Sequence, residues 1–312
     1  RIMVNGNVAY AILNPANTLL INGNNLLMGK IIGDNTNWDV PLHDPPDGSF
    51  AAFRDGKDFL EIVTDPVASR TVWYYMNNEI FISSTSQRAI ILFIGGFEFN
   101  EKVIPWMLTN GSLGPSFSWD KRINCVPPDS SVILNKNSWS INIKTNPIEF
   151  KEFKDTDKNH EKKLSDVLNS TFKSLLLNYS DWALTLSGGY DSRGILCLVF
   201  NSKSKTERIK SITWGLESSL TIADNDAYIA QKLASEFNLV HNYLHTDLSF
   251  EPVEQIINRF LLNSEGRTDQ LSGYMDGFKI WKTLFEEGFH GIIRGDEGFG
   301  CNQYSSVKIA YE

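Results

Sequence analysis

Cysteine is scarce in this chain of 312 residues, with only three, at 125, 197 and 301. An odd number at such wide spacing excludes a disulfide framework and every Cys-x-x-Cys metal or redox pattern. A reducing cytoplasm is therefore the expected compartment. Cys197 lies in an apolar helical stretch and is expected in a core. Histidine is also sparse. The five, at 43, 160, 241, 245 and 290, show no zinc spacing. His241 and His245 would share a face only in a helix, and their segment reads as strand. Positive charge is not in excess. A net charge of −8 argues against a nucleic-acid partner. No apolar run approaches the roughly 20 residues of a membrane helix, so no membrane partner is expected. The opening Arg1-Ile2-Met3-Val4-Asn5 does not read as a signal peptide. No Gly-Lys-Ser/Thr follows a glycine-rich turn, so γ-phosphate chemistry of the Walker type is not expected.

What is present is the composition of a globular protein, 42% hydrophobic and 21% charged. The length suggests two domains. Residues 1–150 read as β-rich. Val8 to Leu13, Leu26 to Ile32, Phe59 to Thr64, Thr71 to Tyr75 and Glu79 to Ser83 are strand-like, with Asp55-Gly56 and Asn77-Asn78 as hairpin turns. Helical patches fall at Gln87 to Leu92 and Glu101 to Thr109, and Val132 to Leu134 with Trp139 to Ile143 reads as a closing hairpin. Phe50, Phe53, Trp73, Tyr74 and Tyr75 are expected in the core.

The polar, charged run at 150–163 marks the domain boundary, giving domains of 1–150 and 151–312. An amphipathic helix follows, with Leu164, Val167, Leu168, Phe172, Leu175 and Leu176 on one face. Strands are then expected at Trp182 to Leu186, Ile209 to Trp214, Leu239 to Leu244 and His290 to Ile293. Helices are expected at Ser192 to Phe200, Asp224 to Phe237, Pro252 to Leu262 and Tyr274 to Glu287. This alternation predicts an α/β domain with a parallel sheet flanked by helices and ligands beyond the carboxyl ends of its strands.

Ser187-Gly188-Gly189-Tyr190-Asp191-Ser192 sits between the first of those strands and its helix. Glycines permit close backbone approach, successive N–H groups form an anion nest, and the helix start adds its dipole. The hydroxyls of Ser187 and Ser192 can donate to phosphate. Asp191 would repel bare phosphate, which implies a divalent cation, Mg²⁺, between them. The alternative is a tight turn with Ser192 as N-cap. A second glycine-rich loop, Arg294-Gly295-Asp296-Glu297-Gly298-Phe299-Gly300, follows the last strand. It offers the second carboxylate that a metal–pyrophosphate site commonly needs.

The first loop resembles the SGGxDS signature of the N-type ATP pyrophosphatase, or PP-loop, superfamily. The second resembles the loop of class B asparagine synthetases, β-lactam synthetases and lasso-peptide cyclases, with Asp296 on that family's second magnesium aspartate. Gly48-Ser49-Phe50-Ala51, Asp65 to Tyr75, and Asn110-Gly111-Ser112 through Val126 to Ser130 resemble its amino-terminal segments. The resemblance covers most of the chain. It implies an Ntn-hydrolase-type first domain and a PP-loop synthetase second domain. It also implies an enzyme that cleaves ATP to AMP and pyrophosphate while joining a carboxylate to an amine.

On this resemblance Asp191 and Asp296 are the catalytic and metal residues. Leu186, Ser187, Gly188, Gly189, Asp191, Ser192, Trp214, Gly215, Gly295 and Glu297 line the nucleotide. Trp214 and Gly215 stand where the family reads adenine, although a core tryptophan and a turn glycine would explain them equally. Asp224, Asn225 and Asp226 read as helix caps. Glu265, Arg267 and Asp269 either hold a polar acceptor or are solvated loop residues, and Arg294 either pairs with Asp296 or binds released pyrophosphate.

Two departures shape the expected reaction. Glutamine-dependent members begin with a nucleophilic cysteine, where this chain has Arg1, so no glutaminase is expected of it as given. A glutamine-hydrolysing asparagine synthetase whose first residues lie upstream is the runner-up, and a non-catalytic nucleotide-binding relative is the rival. Family members also carry a catalytic lysine well beyond the second loop, and Lys308 follows that loop too closely. The expected partners are a small-molecule or peptide carboxylate and an amine donor. The donor is ammonia or an amine of the substrate itself, and a homo-oligomer is allowed.

Overall fold

The computed structural model describes residues 2–13, 18–33, 36–114, 116–146, 154–203, 208–246 and 249–295, and every count below is of these. The chain divides into two compact units, Arg1–Lys154 with Glu251–Met275, and Asp155–Phe250 with Asp276–Glu312.

The first unit is β-rich. Its strands are β1 (Ile2–Asn5), β2 (Val8–Ala11), β3 (Leu19–Asn22), β4 (Asn25–Ile31), β5 (Gly48–Asp55), β6 (Phe59–Thr64), β7 (Trp73–Met76) and β8 (Phe81–Ser84). After helices α1 (Gln87–Ile94) and α2 (Val103–Asn110) come β9 (Asn124–Cys125), β10 (Ser130–Asn135) and β11 (Ser140–Thr145). β1 and β2 form a hairpin. Six strands order as β11-β10-β6-β5-β4-β3, and three as β8-β7-β9, all antiparallel. The period of two along β5 explains its burial on both faces. Phe50 and Ala52 pack with Leu27 and Val63, while Ala51 packs with Ile62, Val72, Tyr74 and Val132. Trp73 packs instead with Ile90 of α1 and Val103 of α2. The expected aromatic core thus has Phe50, Trp73 and Tyr74 buried, with Phe53 and Tyr75 half-buried.

The second unit opens with α3 (Asp157–Ser174), capped by Thr156, whose side chain accepts the Asn159 N–H. It continues with β12 (Trp182–Thr185), α4 (Tyr190–Ser202), β13 (Lys210–Gly215), α5 (Asp226–Glu236) and β14 (Val240–His245). α6 (Val253–Ser264) comes next in the chain, followed by α7 (Lys279–Glu286) and β15 (Gly291–Ile293). The four strands are parallel in the order β14-β13-β12-β15. Helices flank both faces. Leu184, Leu186 and Ile209 pack with Ile195, Leu196 and Val199 of α4 and Ala230 of α5. Ala183 and Ile212 pack on the opposite face with Ile280 and Leu284 of α7.

Four expectations need correction. The second unit is not the contiguous 151–312, because α6 and the turn after it belong with the first unit. The Glu265 side chain accepts hydrogen bonds from Ser86 Oγ and from the Gln87 N–H at 3.0 Å. Trp119 Nε1 donates to Glu265 O at 3.1 Å, and the Asp269 N–H donates to Gly111 O at 3.0 Å. The helix expected from Tyr274 begins only at Lys279, because Gly277 and Phe278 have φ of 77° and 64°, outside helical space. The apolar stripe of α3 is not a buried face, since Leu164 and Val167 are exposed and no residue of the helix is fully buried. Cys197 is exposed rather than core. The buried stripe of α4 runs Ser192, Ile195, Leu196, Val199, and residue 197 lies one position off it.

Candidate functional site

The carboxyl ends of the four parallel strands bring together the pieces of the candidate site that lie in the second unit. β12 runs into Leu186 and the 187–192 turn, β13 ends at Gly215, β14 at His245, and β15 at Ile293, two residues before Gly295.

The turn is tied to the sheet at its root. The Leu186 N–H donates to Ile212 O at 2.8 Å, and Thr213 Oγ1 donates to Leu186 O at 2.5 Å, so both backbone groups of Leu186 are engaged by β13. Ser187 and Ser192 close the turn on itself. Their hydroxyl oxygens are 3.0 Å apart, the Ser187 N–H donates to Ser192 Oγ at 3.2 Å, and Ser192 Oγ lies 3.0 Å from Ser187 O. Ser192 is buried, so its single proton serves the turn. Nor is Ser192 the N-cap. That position is Gly189, in extended conformation, with no side-chain cap.

The expected nest is partly occupied by the protein's own acceptors. The Gly189 N–H donates to Ser187 Oγ at 3.2 Å, and the Gly188 N–H donates to Asp226 Oδ1 at 2.9 Å. The N–H groups of Tyr190, Asp191 and Ser192 open α4 and have no intrahelical acceptor. Tyr190 is 85% exposed, with the Arg193 guanidinium 4.5 Å above its ring.

Asp191 is half-buried in the first turn of α4, and its carboxylate has no hydrogen bond or ion pair with any described residue. Gly295 lies against it. A Cβ built on Gly295 would stand 2.8 Å from Ile195 Cδ1 and 3.1 Å from Asp191 Cβ. The start of the second loop is thereby in contact with the aspartate of the first. Asp296, Glu297 and the rest of that loop lie outside the described residues, as do Cys301 and Lys308. Among the described residues no group of three or more His, Cys, Asp or Glu is arranged to hold a metal ion.

Of the two readings of Trp214, the geometry favours the core for its ring, which packs with the α7 cluster and has its centroid 6.5 Å from that of Trp281. Gly215 O accepts the Thr246 N–H at 3.0 Å, and Tyr243 Oη donates to Leu216 O at 2.8 Å, bracing this strand end. Glu265, Arg267 and Asp269 lie in the first unit. Glu265 anchors the start of α1, and Arg267 Nε donates to Ser264 O at 2.9 Å.

Sequence reasoning missed Asp226 as a partner of the turn, because Asn225-Asp226 at a helix start is already explained by capping. Asn225 does take the cap, accepting the Ala227 N–H at 3.0 Å. No helix among the described residues is long and apolar enough to cross a membrane. No protein-family model matches the chain, and no curated protein sequence matches it.

Proposed function

We propose that this chain is an ATP-dependent ligase of the asparagine-synthetase-like type, forming an amide bond with release of AMP and pyrophosphate. One observation carries the reading. At the carboxyl edge of a parallel sheet, the 187–192 turn leads into the open N-terminus of α4, where Asp191, whose carboxylate bonds to no described residue, packs through its Cβ and backbone against the start of the second loop at Gly295.

That donor set suits a magnesium pyrophosphate. The first N–H groups of α4 favour an anion, while a half-buried carboxylate beside them favours a cation. Asp191 would hold the magnesium ion together with Asp296, the residue after Gly295. When bound, the ion would neutralise the charge of the pyrophosphate as it leaves. The protein's own part is to fix the phosphates against the N–H groups of Tyr190, Asp191 and Ser192, after a turn whose root at Leu186 is bonded to β13. A substrate carboxylate oxygen then attacks the α-phosphorus, the bond to the bridging oxygen breaks, and pyrophosphate departs with the electron pair. An amine next displaces AMP from the acyl carbon. Fixed donors aimed at the leaving group are electrostatic stabilisation of developing charge.

Substrate-dependent exchange of labelled pyrophosphate into ATP, run with a panel of carboxylic acids and peptides, tests the reading. Exchange that requires both magnesium and one acid class is the expected result. Binding of magnesium ATP by calorimetry with no exchange for any acid would mark the non-catalytic nucleotide-binding rival, and absence of both would discard the reading.

A further inference from the structure

Gly188 differs from its neighbours in the turn. Its N–H points to Asp226 Oδ1 at 2.9 Å. The space a side chain would need at this residue is filled by Asp226 Oδ1 and Ile229 Cδ1, each 2.8 Å from an ideal Cβ. The turn is therefore seated on the first residues of α5. Asp226 is not the cap of that helix, since Asn225 performs that function. Its carboxylate instead reaches a turn 38 residues away in sequence, through one of the stronger kinds of backbone hydrogen bond.

We infer that Asp226 is a positioning residue for the anion-binding turn. It holds Gly188 against α5 and withdraws the Gly188 N–H from the donors that meet phosphate. The donors that remain are Tyr190, Asp191 and Ser192, at the start of α4. The inference rests on the ligase reading for its ligand, but its geometry stands apart from that reading. A metal ligand acts through its charge, whereas Asp226 acts through an accepted hydrogen bond. An asparagine oxygen can accept the same bond.

Three measurements on the full chain decide this. In the ligand-free protein, the Gly188 amide should be protected from hydrogen exchange, should lose that protection about tenfold or more in Asp226→Ala, and should largely regain it in Asp226→Asn. Equal exchange in wild type and Asp226→Ala overturns the inference, whatever the activity. On titration with magnesium pyrophosphate, the Tyr190 and Ser192 amide resonances should move while that of Gly188 stays. A Gly188 shift as large as theirs overturns the inference too. In pyrophosphate exchange, Asp226→Ala should lose about 10- to 100-fold in kcat/KM, mainly through KM for ATP, with Asp226→Asn within about fivefold of wild type. Equal losses in the two variants would assign Asp226 a charge role instead. Thermal melts separate these effects from unfolding. If the wild type neither exchanges nor binds pyrophosphate, the ligase reading fails while the first measurement still decides the role of Asp226.

Discussion

Gly295 and Asp191 meet through the space that a side chain on residue 295 would occupy, with an ideal Cβ 3.1 Å from Asp191 Cβ and 3.2 Å from the Asp191 carbonyl carbon. Contact with backbone cannot be relieved by turning a rotamer. Gly295→Ala should therefore displace the first turn of α4 by a few tenths of an ångström. Overpacking of this kind costs about 1–3 kcal/mol. Urea titration should show that loss, and calorimetry should show weaker binding of magnesium ATP. Unchanged binding at reduced stability would detach the start of the second loop from the nucleotide site.

Asp191→Asn should leave the fold intact, because its carboxylate bonds to no described residue. Its stability should stay within about 0.5 kcal/mol of wild type. Pyrophosphate exchange should fall about a hundredfold or more, the scale of a lost metal interaction. Asp296→Asn should match it. If Asp296 merely ends a turn, Asn would serve as well, and wild-type exchange by that variant would remove the second loop from the mechanism.

The nucleotide product should be AMP. With no Gly-Lys-Ser/Thr in the chain, nothing in the first loop suits transfer of the γ-phosphate. Chromatography of a complete turnover decides it, and stoichiometric ADP would discard the ligase reading.

Burial holds the His241 imidazole below its ordinary value in the folded protein, with Nδ1 2.9 Å from Ser211 Oγ. The unfolded chain therefore takes up this proton first as pH falls. The contribution of His241 to stability is complete above the unfolded value of about 6.5 and is lost as pH drops through the lower folded value. Melting temperature followed from pH 8 downward should show that decline, and His241→Gln should flatten it. Equal slopes in the two proteins would rule His241 out.

Glu265→Ala should destabilise the first unit by about 1–3 kcal/mol, through loss of its bonds to Ser86 Oγ and the Gln87 N–H. Chemical denaturation would measure it, with Glu265→Gln expected in between. No change would mean that other contacts hold 251–275 in place.

The regular parts of the fold were legible in the sequence. The strand expected at Phe59 to Thr64 is β6 to the residue, because an aromatic and the consecutive β-branched Ile62, Val63 and Thr64 follow the Asp55-Gly56 turn. The four parallel strands lie where apolar runs precede glycine or polar loops. What escaped depends on contacts remote in sequence. Nothing at Glu265 announces that it belongs to the first unit rather than the second. The positive φ of Phe278, which its own side chain disfavours, is not announced by the sequence. At the site, the strand–turn–helix plan was readable from Ser187 to Ser192. The pairing of each N–H was not, because Asp226 stands where a capping residue is expected anyway.

The division of the chain has a consequence for synthesis. The first unit is interrupted after Lys154 and resumes at Glu251, so nearly a hundred residues must leave the ribosome before α6 can dock. Until then, Ser86 and the Gln87 N–H await their acceptor on Glu265. A truncated first unit ending at Lys154 would lack this element. A protease nick between Lys154 and Asp155 would leave the two units joined by the crossings at 250–251 and 275–276. A denaturing gel would then show two fragments, whereas a native gel would show one species, with 1–154 retained by its hydrogen bonds to Glu265.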